Sequence, residues 1–331
     1  MTLHLVRTLA AAVLLSAAAC AQANEPKTIG GAGAGAASVP MQWTTLGTNG
    51  GPVASATRAQ PANLLSADGA YWLVDAGDGA SDQMAKAGVS PMRLNAVLIS
   101  HLHPDHFAGL YGAISRRWFL RAPSELVIYG PPGTQELVDG MLASLVPAEK
   151  IGLGLTHDKI PPAAGTVRVV TVRGGDSFRI GGITATALAN THYEPDSDTG
   201  SQSLSFRFDK DGYAIGYTGD TGPSDAVARA FSGVNLLVSE IVDMPSMIAQ
   251  IDRNFPSMPA GQRDAVIQHL RTHHLTPGEV ARLARTAGAG ELVITHLVAA
   301  ENSDAVTDRI DKEVRDGFDG KFEIAGDLDG F

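Results

Sequence analysis

The stretch His101-Leu102-His103-Pro104-Asp105-His106 places four side chains that can bind metal within six residues. It follows the apolar run Ala96-Val97-Leu98-Ile99, which has the composition of a buried strand. Alternate residues of an extended chain point the same way, so His101 and His103 can share one metal ion. Asp105 and His106 fall at the turn that follows and can serve a second ion. Imidazole and carboxylate groups suit Zn²⁺ and similar metals, which favours a metal site over a solvated polar loop.

Three further candidate ligands, His192, Asp220 and His296, each follow an apolar run far away in the sequence. We expect each at the downstream end of a strand, where an α/β protein can bring side chains together in one site. Any one of them alone would more often be a structural polar residue. Their recurrence in the same local setting predicts that they join the histidine run.

Short apolar runs alternate with helical segments along most of the chain, which predicts an α/β sandwich with mixed sheets. The segment Lys210-Asp211-Gly212 is typical of a hairpin turn. Thr276-Pro277-Gly278-Glu279 predicts a capped helix that stops at Gly288. The predicted strands are Tyr71–Val74, Ala96–Ile99, Leu126–Tyr129, Val167–Val170, Ile183–Thr186, Leu204–Phe208, Tyr213–Tyr217, Leu236–Val238 and a last one from Leu292 that ends at His296.

With this ligand pattern, the chain from about Thr44 to Val298 resembles the metallo-β-lactamase superfamily, whose signature is H-x-H-x-D-H with separate His, Asp and His ligands. The resemblance implies an αββα sandwich, in which two mixed β-sheets are flanked by helices. It also implies two metal ions, expected to be Zn²⁺, with Mn²⁺ or Fe²⁺ as alternatives. By this resemblance, one ion would be held by His101, His103 and His192, the other by Asp105, His106 and His296, and Asp220 would bridge them.

Within the superfamily, the chain resembles the branch of ribonuclease Z, arylsulfatases and cyclic-nucleotide phosphodiesterases. Thr218-Gly219-Asp220-Thr221 supplies the bridging carboxylate, and His274-Leu275-Thr276-Pro277 resembles a late motif of the branch. The early segment Leu46-Gly47-Thr48 is similar to exported arylsulfatase-type members. Two features depart from ribonuclease Z: Ser239 stands where a His is common, and no basic glycine-rich arm lies between Tyr129 and Val167.

The expected reaction is hydrolysis of a small phosphodiester or sulfate ester. Two close metal ions lower the pKa of a bridging water, so a metal-bridging hydroxide is the expected attacking group. By resemblance, His274 would contact the substrate oxyanion or protonate the leaving group, and it forms the predicted catalytic set with Asp105 and Asp220. We expect Asp75 to orient a metal ligand, and Glu240 is a weaker candidate for the same role.

Several alternatives remain open at this stage. The same metal motif would serve a lactone or thioester hydrolase, and a metal-holding binding protein without turnover is a third class. Processing of the tRNA 3′ end is disfavoured by the missing arm and by an export signal. The segment from Met244 to Arg271 is either a helical flap with an apolar inner face or ordinary core packing.

The composition indicates a globular protein without the charge of a nucleic-acid binder. The 331 residues are 44% hydrophobic and 18% charged, with a formal net charge of −10. We therefore expect a small-molecule ester as the partner and no nucleic acid. The oligomeric state is left open, with a homodimer among the alternatives.

The first residues are typical of an export signal. A charged start with Arg7, the apolar run Leu9–Leu15 and the small-residue site Ala21-Gln22-Ala23 predict a signal peptide over residues 1–23. A flexible Gly/Ala-rich linker over residues 24–40 and a hydrolase domain over residues 41–331 would follow. The expected location is periplasmic or secreted, with no transmembrane segment in the mature chain. A lipoprotein anchored at Cys20 is the alternative.

We predict that the exported protein begins at Asn24, because cleavage after Ala23 fits the small-residue rule. The intact mass of the protein recovered from the periplasm measures this directly. A mass that corresponds to a lipidated Cys20 at the N-terminus would contradict it.

Overall fold

The computed structural model describes residues 39–155, 160–193 and 200–331. The predicted signal peptide and Cys20 lie outside the described residues, as does all of the predicted linker except Val39 and Pro40. Fourteen strands lie in the described part of the chain and form two seven-stranded sheets. None of the helices described there is both long and apolar enough to cross a membrane.

The first sheet has the strand order β14-β1-β2-β3-β4-β5-β6. The pairs from β14 to β3 are antiparallel and those from β3 to β6 are parallel, so the sheet is mixed. Its strands are β1 (Gln42–Gly47), β2 (Ala62–Ala67), β3 (Ala70–Ala76), β4 (Leu94–Leu98), β5 (Leu126–Gly130), β6 (Val167–Thr171) and the short β14 (Asp329–Gly330).

The second sheet has the order β13-β12-β11-β10-β9-β8-β7 and the same division into parallel and antiparallel pairs. The β9–β10 turn is the predicted hairpin, with both Asp211 (φ 50°) and Gly212 (φ 79°) in the left-handed region. Its strands are β7 (Ser177–Ile180), β8 (Ile183–Ala189), β9 (Leu204–Lys210), β10 (Tyr213–Tyr217), β11 (Leu236–Val242), β12 (Glu291–Val298) and β13 (Lys321–Ile324).

Nine α-helices are described, and most of them cover the outer faces of the two sheets. Those that follow strands of the first sheet are α1 (Ala80–Lys86), α2 (Pro104–Phe107), α3 (Leu110–Phe119) and α4 (Thr134–Ile151). Those on the side of the second sheet are α5 (Asp225–Ala230), α6 (Met244–Asn254), α7 (Ala260–His273), α8 (Pro277–Ala287) and α9 (Asp304–Arg315). Helix α8 has the predicted capping box at Thr276 and ends at Gly288 (φ 61°).

Three apolar cores hold these layers together. The central core contains Trp43 and Trp72 from the first sheet and Phe206 and Tyr217 from the second, so it lies between the sheets. The two outer cores lie between each sheet and its helices. This four-layer arrangement is the αββα sandwich expected from the sequence.

The structure corrects the prediction for the last strand and divides the proposed flap. Strand β12 runs to Val298, so His296 lies inside the strand rather than at its end. The segment Met244–Arg271 contains all of α6 and most of α7. Met244 is buried in a small apolar cluster, whereas Phe255 is 57% exposed and belongs to no inner face.

Candidate metal centre

Three histidines from distant parts of the chain meet with their ring nitrogens about one hydrogen-bond length apart. Nε2 of His101 lies 3.1 Å from Nδ1 of His103, and Nε2 of His192 lies 3.0 Å from the same atom. A tetrahedral zinc ion with Zn–N bonds of about 2.0–2.1 Å separates its ligands by roughly 3.3 Å. The three nitrogens are therefore spaced like the ligands of one ion.

A second group combines Asp105, His106, Asp220 and His296. Nε2 of His106 and Nε2 of His296 lie 3.1 Å apart, and Oδ1 of Asp220 is 3.3 and 3.1 Å from them. Oδ2 of Asp105 is 3.5 and 3.6 Å from the same two nitrogens. Two imidazoles and two carboxylates thus surround one small volume.

Asp220 joins the two groups through its two oxygens. Oδ1 faces His106 and His296, whereas Oδ2 lies 3.8 Å from Nε2 of His101 and 3.9 Å from Nε2 of His192. One carboxylate can therefore contribute an oxygen to each group. This is the bridging geometry that the sequence resemblance implied.

The ring orientations are set by hydrogen bonds on the side away from the cluster. Nδ1 of His106 donates to Oδ2 of Asp75 over 2.9 Å, and Nδ1 of His192 donates to the carbonyl of His273 over 2.9 Å. Nδ1 of His101 lies 3.0 Å from Oγ of Ser100. Each contact leaves Nε2 of that ring directed into the cluster, where it can bind a metal ion.

The protonation preferences also suit metal binding for the first group. Burial is the main cause that lowers the pKa of His101 and His103, and it lowers that of His192 to about 3. These imidazoles are therefore neutral and offer a lone pair. Burial raises the pKa of Asp220, but the histidines around it, His296 first, hold it well below its usual range, so the carboxylate is charged.

The donor set fits a pair of metal ions. Oδ2 of Asp105, Oδ1 of Asp220 and Nδ1 of His296 are buried, yet none of them makes a hydrogen bond to the described residues. Leaving two buried carboxylate oxygens without a partner is costly, and a cation between them removes that cost. The His/Asp cluster is therefore consistent with a dinuclear metal site.

A β-bulge explains how His296 reaches the cluster from within β12. Ser239 pairs with Ile294, but Ile241 pairs with Leu297, so one residue of β11 opposes two of β12. His296 has a φ of 44°, which belongs to the bulge. The bulge turns the side chains of this strand pair toward the site, and Glu240 is the β11 residue that faces it.

His274 lies beside the cluster and is held by Glu240. Its Nδ1 donates to Oε2 of Glu240 over 2.6 Å, while Oε1 of Glu240 accepts from the backbone N–H of Thr221 over 2.6 Å. Possible ligand atoms of His274, His192 and Asp220 lie within 4.8 Å of one another. Burial lowers the pKa of His274, but the Glu240 carboxylate outweighs burial and raises it to about 9.

The loop that carries Asp220 depends on two glycines. Gly219 has a φ of 55°, which disfavours a side chain. A Cβ on Gly222 would lie 1.8 Å from the carbonyl oxygen of Thr272 in α7. The backbone can therefore pass close to α7 only where a glycine stands.

A cavity of about 610 Å³ opens on the cluster, and His103, His192 and His274 form part of its wall. It is large enough for a small molecule. The other walls come from the loop Asn49–Thr57, from α6 and α7, and from the turn Val298–Asn302.

All eight site residues expected from the sequence meet here: His101, His103, Asp105, His106, His192, Asp220, His274 and His296. Asp75 contacts a predicted ligand, as expected, and Glu240 contacts His274 rather than a ligand. No motif in the sequence pointed to Tyr217, whose hydroxyl donates to Oδ2 of Asp75 over 2.7 Å. His273, the neighbour of His274, donates from Nδ1 to the carbonyl of His192 over 2.5 Å and so supports the position of that residue.

Comparisons with known proteins identify the family. The family model described as "Beta-lactamase superfamily domain" matches residues 71–297. Ribonuclease Z from Mycobacterium bovis is 32% identical over 263 residues, which cover 78% of this chain and 87% of that protein.

Solved structures show the same fold. The metallo-β-lactamase fold protein YhfI from Bacillus subtilis has a TM-score of 0.63 at 21% identity, covering 88% of this chain and all of that one. Human tRNase Z, short form, has a TM-score of 0.58 at 22% identity and covers 88% and 98% of the two chains. The fold, the ligand cluster and these matches together show that the chain belongs to the metallo-β-lactamase superfamily, in the branch that contains ribonuclease Z, and that it is a hydrolase of ester bonds.

Proposed function

We propose that this protein hydrolyses a small phosphodiester or a sulfate ester in a metal-dependent reaction. The observation that carries the proposal is the pair Glu240 and His274, placed beside the ligand cluster at the wall of the cavity. A histidine that a buried carboxylate holds in place can give a proton to a leaving oxygen.

The proposed ligand sets follow the two groups of side chains. His101, His103 and His192 hold one ion, and Asp105, His106 and His296 hold the other, with Asp220 between them. Zinc is the proposed metal because its ligands are imidazole nitrogens and carboxylate oxygens, and Mn²⁺ or Fe²⁺ are alternatives. When bound, such a pair lowers the pKa of a water and stabilises charge on the substrate oxygens. Asp105 and Asp220 act in the reaction by positioning this pair.

His274 is the proposed general acid. The Glu240 carboxylate raises the pKa of His274 to about 9, and because Nδ1 is held by Glu240, a proton on Nε2 would face the cavity. A departing alkoxide or phenoxide gains from such a proton, whereas a less basic thiolate gains little. This favours oxygen esters over thioesters, and hydrolysis of a lactone stays an alternative.

Processing of tRNA is the second candidate, because ribonuclease Z from Mycobacterium bovis is 32% identical to this chain over 263 residues. The charges near the site argue against it. Residues 131–155, where the sequence lacks a basic arm, carry Glu136, Asp139 and Glu149 against Lys150 alone. Few lysine or arginine side chains there could bind the phosphates of a nucleic acid. The export proposed from the signal sequence also fits a small substrate rather than tRNA.

We predict that the purified, metal-loaded protein hydrolyses bis(p-nitrophenyl) phosphate or p-nitrophenyl sulfate at least tenfold faster than it opens a lactone. Release of p-nitrophenol and titration of lactone acid measure the rates. A precursor tRNA with a 3′ trailer is assayed in parallel. Cleavage of the precursor tRNA, without hydrolysis of any small ester, would overturn the proposal in favour of the second candidate.

We predict that His274→Ala lowers kcat by roughly 100- to 10,000-fold, the usual contribution of a general acid, while metal content is unchanged. The loss should be largest for phenyl esters and smallest for p-nitrophenyl esters, because an acidic leaving group needs little protonation. Glu240→Gln should show the same dependence in a weaker form. A loss that is equal for all leaving groups would show that His274 has no role as an acid.

A further inference from the structure

The cavity over the ligand cluster has an apolar outer part formed by the helix pair α6 and α7. Met247 of α6 and Leu270 of α7 line it, and both are partly buried. Val53 and Ala299 line it from the loop Asn49–Thr57 and from the turn after β12. An apolar group of a substrate that reaches His274 would therefore lie against carbon atoms.

The described walls of this cavity carry neither lysine nor arginine. Apart from the histidines and the carboxylates of the ligand cluster, Glu301 is the one charged residue among the described lining residues. Arg58 is close in sequence to the lining loop, but its guanidinium donates to Oγ1 of Thr48 and to the carbonyl of Ala325. A second anionic group on a substrate, away from His274, would meet the carboxylate of Glu301 and no lysine or arginine among the described lining residues.

Hydrogen bonds connect the walls of the cavity to one another. Nδ2 of Asn302 donates to Oγ of Ser55 over 3.1 Å, which joins the turn to the loop. The N–H of Ala300 donates to Oγ of Ser246 over 3.2 Å, which joins the turn to α6. The cavity is therefore formed before a substrate binds, and an apolar group gains affinity without first ordering a loop.

Met247 and Leu270 belong to none of the three main apolar cores. They pack on a small separate cluster made of Val242, Met244 and Val298, with Ile248 and Ile267 beside it. A methionine at such a place adapts its shape to different apolar groups. Ile267 belongs to the same cluster but does not line the cavity, so it provides a matched control.

We propose that Met247 and Leu270 form a binding site for an apolar group of the substrate, and that this cavity selects esters that carry a single negative charge and an apolar leaving group. The inference rests on the proposed function, since it places the leaving group beside His274. It goes further by naming the residues that determine specificity.

Binding of 4-alkylbenzenesulfonates, measured by calorimetry on the metal-loaded protein, tests the site apart from turnover. These probes carry one negative charge and are not hydrolysed. The affinity of the wild-type protein should rise with each added methylene, by up to about fourfold. Met247→Ser and Leu270→Ser should at least halve this gain per methylene, whereas Ile267→Ser should keep it. An unchanged gain in the first two variants, or an equal loss in the Ile267 control, would overturn the proposal.

The kinetic counterpart uses 4-alkylphenyl esters, whose leaving groups have nearly the same pKa. In the wild-type protein, kcat/KM should rise with alkyl length through KM, and a 4-carboxyphenyl ester should react at least tenfold less efficiently than the 4-ethylphenyl ester. Equal efficiency for these two esters would contradict the charge selection. Should no ester be hydrolysed, the proposed function fails, and the sulfonate series alone decides whether the apolar site exists.

Discussion

The carboxylate of Asp75 is the contact on which the site most depends, because it links both sheets at the point where the ligands meet. It stands near the end of β3 and accepts from the N–H and the hydroxyl of Ser100, from Nδ1 of His106 and from the hydroxyl of Tyr217 in the other sheet. Its φ of 57° directs the side chain inward, a conformation that Asp tolerates better than most residues. These four donors satisfy the fully buried carboxyl group, and the contact with His106 orients a predicted metal ligand.

The ligand cluster itself lowers the stability of the folded state. It gathers carboxylates and imidazoles in a buried volume, where removing each charge from water costs several kcal/mol. Contacts on the outside of the cluster, such as those of Ser100 and His273, hold the rings in place, but they leave Asp105 and Asp220 with unpaired oxygens. Bound cations would offset that cost. Metal binding should therefore stabilise the fold as well as enable the chemistry.

Much of the site could be predicted from the sequence because its ligands stand in short motifs beside recognisable strands. The run His101–His106 and the capped helix after His274 needed no tertiary information. The bulge opposite Glu240 could not be foreseen, because it exists only in the pairing of β11 with β12. For the same reason His296 was expected at a strand end, and the role of Glu240 was underestimated. The sequence of β2, Ala-Asn-Leu-Leu-Ser-Ala, has no strong strand propensity. It forms a strand because it pairs with β1 on one side and β3 on the other.

The proposed role of Asp220, which is to join two metal sites into one centre, is tested most directly by metal analysis. Elemental analysis of protein purified without chelator should give close to two equivalents of metal per chain. Asp220→Ala should lower this value and weaken retention of both ions, because each ion loses an oxygen ligand. A single equivalent that is unchanged in Asp220→Ala would contradict the account.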